Sequence, residues 1–380
     1  MKTEQLLYST MSGWEMITNN NLSEKANLIF IFGDRELLKQ AEHIDYLKKH
    51  YPNAQILGCS TSGEICQTTL HNEHLVCTAV WFEKSQIKTA TATIKSMEDS
   101  FSTGAEIGQK LDADDLIHVM VFAEGLNING SELAKGLNSV LKDEIPVTGG
   151  LAGDQADFKE TVVVGNQVGI KNFVSAIGFY GKHLKTGNGS MGGWNSFGAD
   201  RLVTKSDKNV LYELDGQPAL ELYKKYLGDH VAGLPASALL FPLSLQLKDR
   251  DSSLIRTVLS IDETDGSMVF AGDIPQGEYV RLMTANSEKL IDGASLAAEM
   301  SLTQPGLTEP DLAVLISCVG RKLVLKQRAE EELEAVKEVL GGKTTMTGYY
   351  SYGELCPINL IESKCELHNQ TMTITLFKEI

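Results

Sequence analysis

The chain has few of the features that announce a chemistry. No apolar stretch approaches the roughly 18 residues that a membrane-spanning helix needs; runs such as Leu28–Phe32 and Leu116–Phe122 are far shorter. Residues 1–20 hold no long apolar segment, so neither a signal peptide nor an anchor is expected, and the cytoplasm is the expected compartment. The six cysteines form no C-x-x-C pair, which argues against a disulfide framework and a zinc site, and the absence of C-x-x-C-H excludes covalent haem attachment. Basic residues number 34 against 50 acidic ones, with no long Lys/Arg run, and the net charge of -16 repels phosphate backbones and anionic lipid. Nucleic-acid binding and membrane insertion are therefore not expected. G-x-S-x-G, H-E-x-x-H, P-loop and kinase motifs are all missing, so the chain is expected not to be an enzyme.

What is there is repetition. Gly58-Cys59-Ser60-Thr61-Ser62-Gly63-Glu64-Ile65-Cys66 and Gly348-Tyr349-Tyr350-Ser351-Tyr352-Gly353-Glu354-Leu355-Cys356 share the frame G-x-x-x-x-G-E-[IL]-C. Each is followed by a second shared phrase, Leu70-His71-Asn72-Glu73 and Leu367-His368-Asn369-Gln370. Before each phrase comes an apolar run closed by glycine and then an amphipathic helix; the same order surrounds Gly149. From the glycine closing the first strand to the glycine opening the second, the intervals are 25 (33 to 58), 24 (125 to 149) and 28 (320 to 348). A strand, helix, glycine turn and strand at near-constant spacing predict three copies of one unit. Further strands are expected over 75–82, 174–180 and 371–377. Several strands per helix predict an α+β fold: two lobes of repeated strand-helix-strand units with mixed, largely antiparallel sheets. The pattern changes between residues 200 and 306, where Asp265-Gly266 marks a hairpin and Pro218 a helix start. At 380 residues two domains are expected, over 14–199 and 200–380.

With these phrases in hand, the chain resembles the FIST (F-box and intracellular signal transduction) sensory family over nearly its whole length. Ser317-Cys318-Val319-Gly320-Arg321, Leu211-Tyr212-Glu213-Leu214-Asp215-Gly216-Gln217-Pro218-Ala219 and Phe270-Ala271-Gly272-Asp273-Ile274-Pro275 carry the resemblance together with the repeated phrases. It implies N- and C-terminal FIST domains, small-molecule ligands with amino acids proposed, and output through a histidine kinase or a cyclic-dinucleotide enzyme. No output domain is expected within these residues, which resembles the stand-alone nitric-oxide-sensing proteins (NosP) that bind haem and regulate a partner kinase. The oligomeric state, a homodimer included, is open.

Candidate ligand residues follow from chemistry. Tyr350 and Tyr352 alternate on an extended strand, so they are expected to share a face and, with Gly353 and Glu354, to form a wall for a small amine-bearing ligand. Arg321 is read as a carboxylate or propionate clamp, with a salt bridge to the acidic stretch Glu330–Glu334 as its other reading. Arg281 and Asn286 join Asp273 in a second polar cluster, and Trp194 either covers a ligand or packs at the domain junction. Were haem bound, His183 is the first axial candidate; His43 and His50 are expected to face water and His118 to be a core residue. A rival of another class is a cysteine-dependent hydrolase built on Cys318 and His368. A ligand pocket is expected at the junction of the two lobes.

Overall fold

The continuous apolar runs become central strands buried on both faces. Leu28–Gly33, Leu116–Ala123 and Leu312–Cys318 open the three units, and almost every residue in them is sealed from water. The helices Ala41–His50, Gly130–Asn138 and Ala329–Leu340 follow, each burying one apolar stripe. A second strand then runs parallel to the first: Gln55–Ser60, Val147–Leu151 and Thr345–Ser351. Return strands Leu75–Trp81, Phe173–Tyr180 and Met372–Glu379 lie antiparallel on the other side. The structure is a computed structural model describing residues 1–234, 236–247, 253–357 and 364–380, and it bears out the α+β class with mixed sheets.

Two features lay beyond the sequence patterns. Each unit has an additional strand beside its return strand, namely Lys2–Ser9, Gln86–Thr93 and Leu184–Met191. Each unit also lends a short strand to another unit. Glu64–Cys66 pairs with Thr345–Ser351, Val163–Gly165 with Gln55–Ser60, and Gly353–Pro357 with Val147–Leu151. The exchange closes a ring, and three six-stranded sheets interlock. The first half of the chain therefore cannot complete its sheets without the second.

The glycine opening each repeated phrase has a packing reason. At Gly58, Gly149 and Gly348 a Cβ would stand 1.7, 2.0 and 1.8 Å from the carbonyl oxygens of Ile31, Val121 and Leu315 on the adjacent first strand. Only a residue without a side chain lets the two strands approach this closely. Inside the ring, Phe30 and Phe32 of the first unit, Phe122 and Phe179 of the second, and Ile316, Tyr349 and Phe377 of the third form one core. Separate clusters lie between each sheet and its own helices.

Residues 195–284 leave this plan. Asn195–Asp207, a thirteen-residue strand that contains residue 199, carries the chain out of the ring into an eight-stranded sheet whose strand pairs are all antiparallel. This sheet has its own core around helix Ala219–Leu227, which begins directly after Pro218. The expected hairpin is present between Val258–Asp262 and Ser267–Phe270, with Gly266 at φ +72° in its turn. The residues just before it do not extend the hairpin: Ser253–Arg256 pairs elsewhere, with Leu243–Gln246, so the chain changes neighbours at Thr257. Among the described residues, no helix is long and apolar enough to cross a membrane.

Candidate functional site

The two Gly-Glu repeats sit at equivalent places. Glu64 is the first residue of one crossing strand and Glu354 the second of another, and they face His71 and His368 respectively across a sheet. Both carboxyls are fully buried. Glu64 accepts from the Thr61 hydroxyl (2.5 Å) and the His74 amide (3.3 Å); Glu354 accepts from the Ser351 hydroxyl (2.5 Å), the Thr371 amide (3.2 Å) and the Thr371 hydroxyl (3.0 Å). Burial outweighs these bonds and pushes both carboxyls up to about 8. Burial thus favours the protonated form of both at neutral pH, against the Thr61 and Ser351 hydroxyls that donate to them.

This has a consequence for stability. A carboxyl whose pKa is higher folded than unfolded holds its proton in the native state after the unfolded chain has released it. Its contribution is complete below about 4.5 and is lost as pH rises towards 8. The buried histidines act in the opposite sense: burial lowers His118 to about 3 and His368 to about 4, so their effect ends above 6.5. Between pH 6.5 and 8 the unfolding free energy is therefore expected to fall with rising pH. Glu354→Gln should lessen the slope by up to about 1.4 kcal/mol per pH unit, one proton's worth. Urea melts at four pH values measure it, and an unchanged slope in the variant contradicts the assignment.

The expected ligand wall is not formed. Thr345–Ser351 ends one residue before Tyr352, and the chain there changes sheets. Tyr350 consequently packs in the third unit's helix layer and Tyr352 in that of the second. Tyr350 donates its hydroxyl to Glu332 (2.7 Å). Tyr352 donates to Asp154 and stacks on Phe158, with ring centroids 4.4 Å apart. Arg321 is wholly buried and committed to protein partners: Glu332 (2.6 Å), the Leu290 carbonyl (2.7 Å) and the Gly192 carbonyl. The salt bridge to the acidic helix is thus the arrangement present.

The other candidates are scattered. Arg281 grips Asp200 through two 2.6 Å bonds on the exposed face of the fourth sheet, whereas Asn286 caps helix Ser287–Ser301 by accepting from the Lys289 amide. Trp194 donates to the Gln370 carbonyl (2.8 Å) and packs beside Leu290 and Leu325 at the junction. His183 is half-buried in the turn before Leu184–Met191, where its carbonyl accepts from Ile380. His118 is buried against Thr148 as expected, but His43 is buried rather than solvated, with its ring 4.2 Å from that of Tyr8. No dyad joins Cys318 to His368: burial raises the thiol, and the imidazole Nε2 bonds the Cys356 carbonyl.

Two cavities open where the interlocked core meets the fourth sheet. One, of about 460 Å³, is charged. Helix Gly130–Asn138 brings Ser131 and Lys135; Ser253–Arg256 brings Leu254 and Arg256; Asp273, Glu278, Glu366, Leu245 and Leu247 complete most of the lining. Arg256 is 3% exposed and donates to the carbonyls of Asp273 (3.0 Å) and Leu367 (2.9 Å). Burial lowers it to about 10, so it stays cationic at neutral pH. Lys135 bonds Asp273 (2.9 Å) and Glu132 (2.7 Å). The second cavity, of about 550 Å³, is walled by leucines, Val258 and Phe158. Among the described residues that line the two cavities there is no His, Cys, Met or Tyr. Among the described residues no group of three metal-ligating side chains occurs.

Of the polar lining the sequence singles out only Asp273, in a cluster with Arg281 and Asn286 that lie elsewhere; Arg256 escapes, although one signal is present. Leu254 and Arg256 alternate onto a buried face with the half-buried Ile255 between them, and a cation at such a position marks a buried charge.

An uncharacterized protein of Methanocaldococcus jannaschii is 25% identical over 370 residues, covering 91% of this chain and 69% of that protein. Among solved structures, cyanuric acid hydrolase from A. caulinodans aligns over 93% of this chain and 90% of its own, at a TM-score of 0.38 and 7% identity. Contrary to the expectation that the chain is no enzyme, that protein is one; at this distance the alignment assigns no reaction to the chain. The FIST N domain matches residues 27–217 and the FIST C domain residues 219–357, and the chain belongs to the FIST family of signal-transduction sensor domains.

Proposed function

We propose that the chain senses an amine-bearing metabolite, an amino acid or a close relative, in the charged cavity between core and fourth sheet. Arg256 carries this reading: a buried cation that donates to main-chain carbonyls, beside the Lys135–Asp273 pair and a leucine wall. A ligand carboxylate would find two cations there, its ammonium would find carboxylates, and its side chain would lie against Leu245, Leu247 and Leu254. The ligand would touch core and fourth sheet together, favouring one relative placement over others. A histidine kinase or cyclic-dinucleotide enzyme would read that shift.

The test is titration of the intact chain, by calorimetry, with the twenty protein amino acids, agmatine and putrescine. At least one should bind saturably at one site, and Leu247→Trp, which fills the cavity, should weaken it at least tenfold. No saturable binding by any of them, or equal binding to the variant, refutes the reading.

A further inference from the structure

We propose that the apolar cavity is a second ligand site, one that takes an uncharged, flat aromatic small molecule. It is independent of the amine reading and uses a different set of residues. Its volume, about 550 Å³, falls in the range of small-molecule sites. Leu239, Leu240, Val258, Leu259 and Leu323 supply aliphatic walls, and Phe158 supplies a ring.

Phe158 is what gives the cavity a shape preference. Its ring lies nearly parallel to that of Tyr352, 12° between planes, yet remains 37% exposed. A planar ligand against such a ring extends the stack in an offset arrangement favoured by aromatic quadrupoles. The ring is also held in place before any ligand arrives. The carboxylate of Asp154 accepts from the amides of Phe158 (2.9 Å), Lys159 (2.8 Å) and Glu160 (2.8 Å), from Arg35 (2.9 Å) and from the Tyr352 hydroxyl. Phe158 itself sits at φ +53°, a left-handed conformation that such a network sustains. A preset aromatic shelf avoids the ordering cost that a mobile side chain would add on binding. A charged ligand fits poorly, because among the described lining residues Asp157 alone is ionisable, and it already pairs with Arg35 and Lys159 at 3.6 Å each.

The position is consequential as well. Arg256 faces the charged cavity and Val258 the apolar one, and Thr257 between them bonds Asn369 (3.4 Å). Gln370, next in the chain, donates to the carbonyl of Leu239 in the apolar wall (3.0 Å). The repeated Leu-His-Asn phrase thus forms part of a partition shared by both cavities.

Titration of the intact chain with N-phenyl-1-naphthylamine, an uncharged fluorescent aromatic, tests the site. A saturable one-site rise in fluorescence is expected, with displacement by indole. Leu323→Trp, which occupies the cavity with an indole of the chain's own, should weaken binding at least tenfold, while Leu296→Trp on an exposed helix face should not. Should Leu323→Trp fail to fold, Phe158→Ala at a partly exposed position replaces it, with at least a fivefold loss expected. A rise that does not saturate, or wild-type binding by folded cavity variants, overturns the proposal. So does a signal that varies with protein concentration, which would give this face to a second copy of the chain. Failure of the amine titration leaves this outcome untouched, so the two readings fail separately.

Discussion

Glu332→Ala is expected to lower the unfolding free energy by about 3–5 kcal/mol, the cost of stranding a buried charge. Glu332 and Arg321 are both wholly inaccessible to water. The carboxylate accepts from Arg321 Nε (3.1 Å) and Nη2 (2.6 Å), from the Ser317 hydroxyl (3.0 Å) and from the Tyr350 hydroxyl (2.7 Å). Alanine would remove every one of these acceptors at once and leave a guanidinium with carbonyls alone. The double variant Arg321→Met/Glu332→Leu should recover much of the loss, because an apolar pair of similar volume carries no desolvation penalty. Urea unfolding of the three proteins measures both effects. A single-variant cost below about 1 kcal/mol, a value typical of exposed pairs, would mean that water reaches the site.

Gly348→Ala is expected to be comparably damaging, for steric reasons. Overpacking a core commonly costs about 1–3 kcal/mol and sometimes more. Here the added carbon would meet the Leu315 carbonyl carbon at 2.7 Å as well as its oxygen, and the main chain of a central strand cannot swing aside as a side chain can. A loss of about 3 kcal/mol or failure to accumulate as soluble protein is the expected result. Gly342→Ala serves as the control, since a Cβ there meets nothing within 4 Å. Equal urea midpoints for Gly348→Ala and the control would contradict the close strand approach.

The parts legible in the sequence were those with strong local signals. Leu28–Phe32, Leu116–Phe122 and Leu312–Ser317 read as buried strands because apolar β-formers run unbroken, and the glycine intervals of 25, 24 and 28 marked the repeat. The crossing strands were not legible. Glu64–Cys66 and Val163–Gly165 are three residues each, too short for any periodicity, and their partners lie far off in the chain. Missing them is what placed Tyr350 and Tyr352 on one face: alternation holds only while a strand continues, and this one stops at Ser351. The choice between clamp and ion pair at Arg321 likewise needed the position of Glu332, which spacing alone does not fix. The cavities draw on Lys135, Arg256, Glu366 and Phe158, residues from separate segments that only the insertion of residues 195–284 against the core brings together.

Hydrogen–deuterium exchange of the intact chain, with and without a saturating amount of the tightest-binding amino acid or amine, tests the central claim most directly. Binding in the charged cavity predicts slowed exchange in residues 253–256, in 365–368 and at the start of helix Gly130–Asn138, on both sides of the junction. Protection confined to the fourth sheet or to the core alone, or none at all, would contradict it.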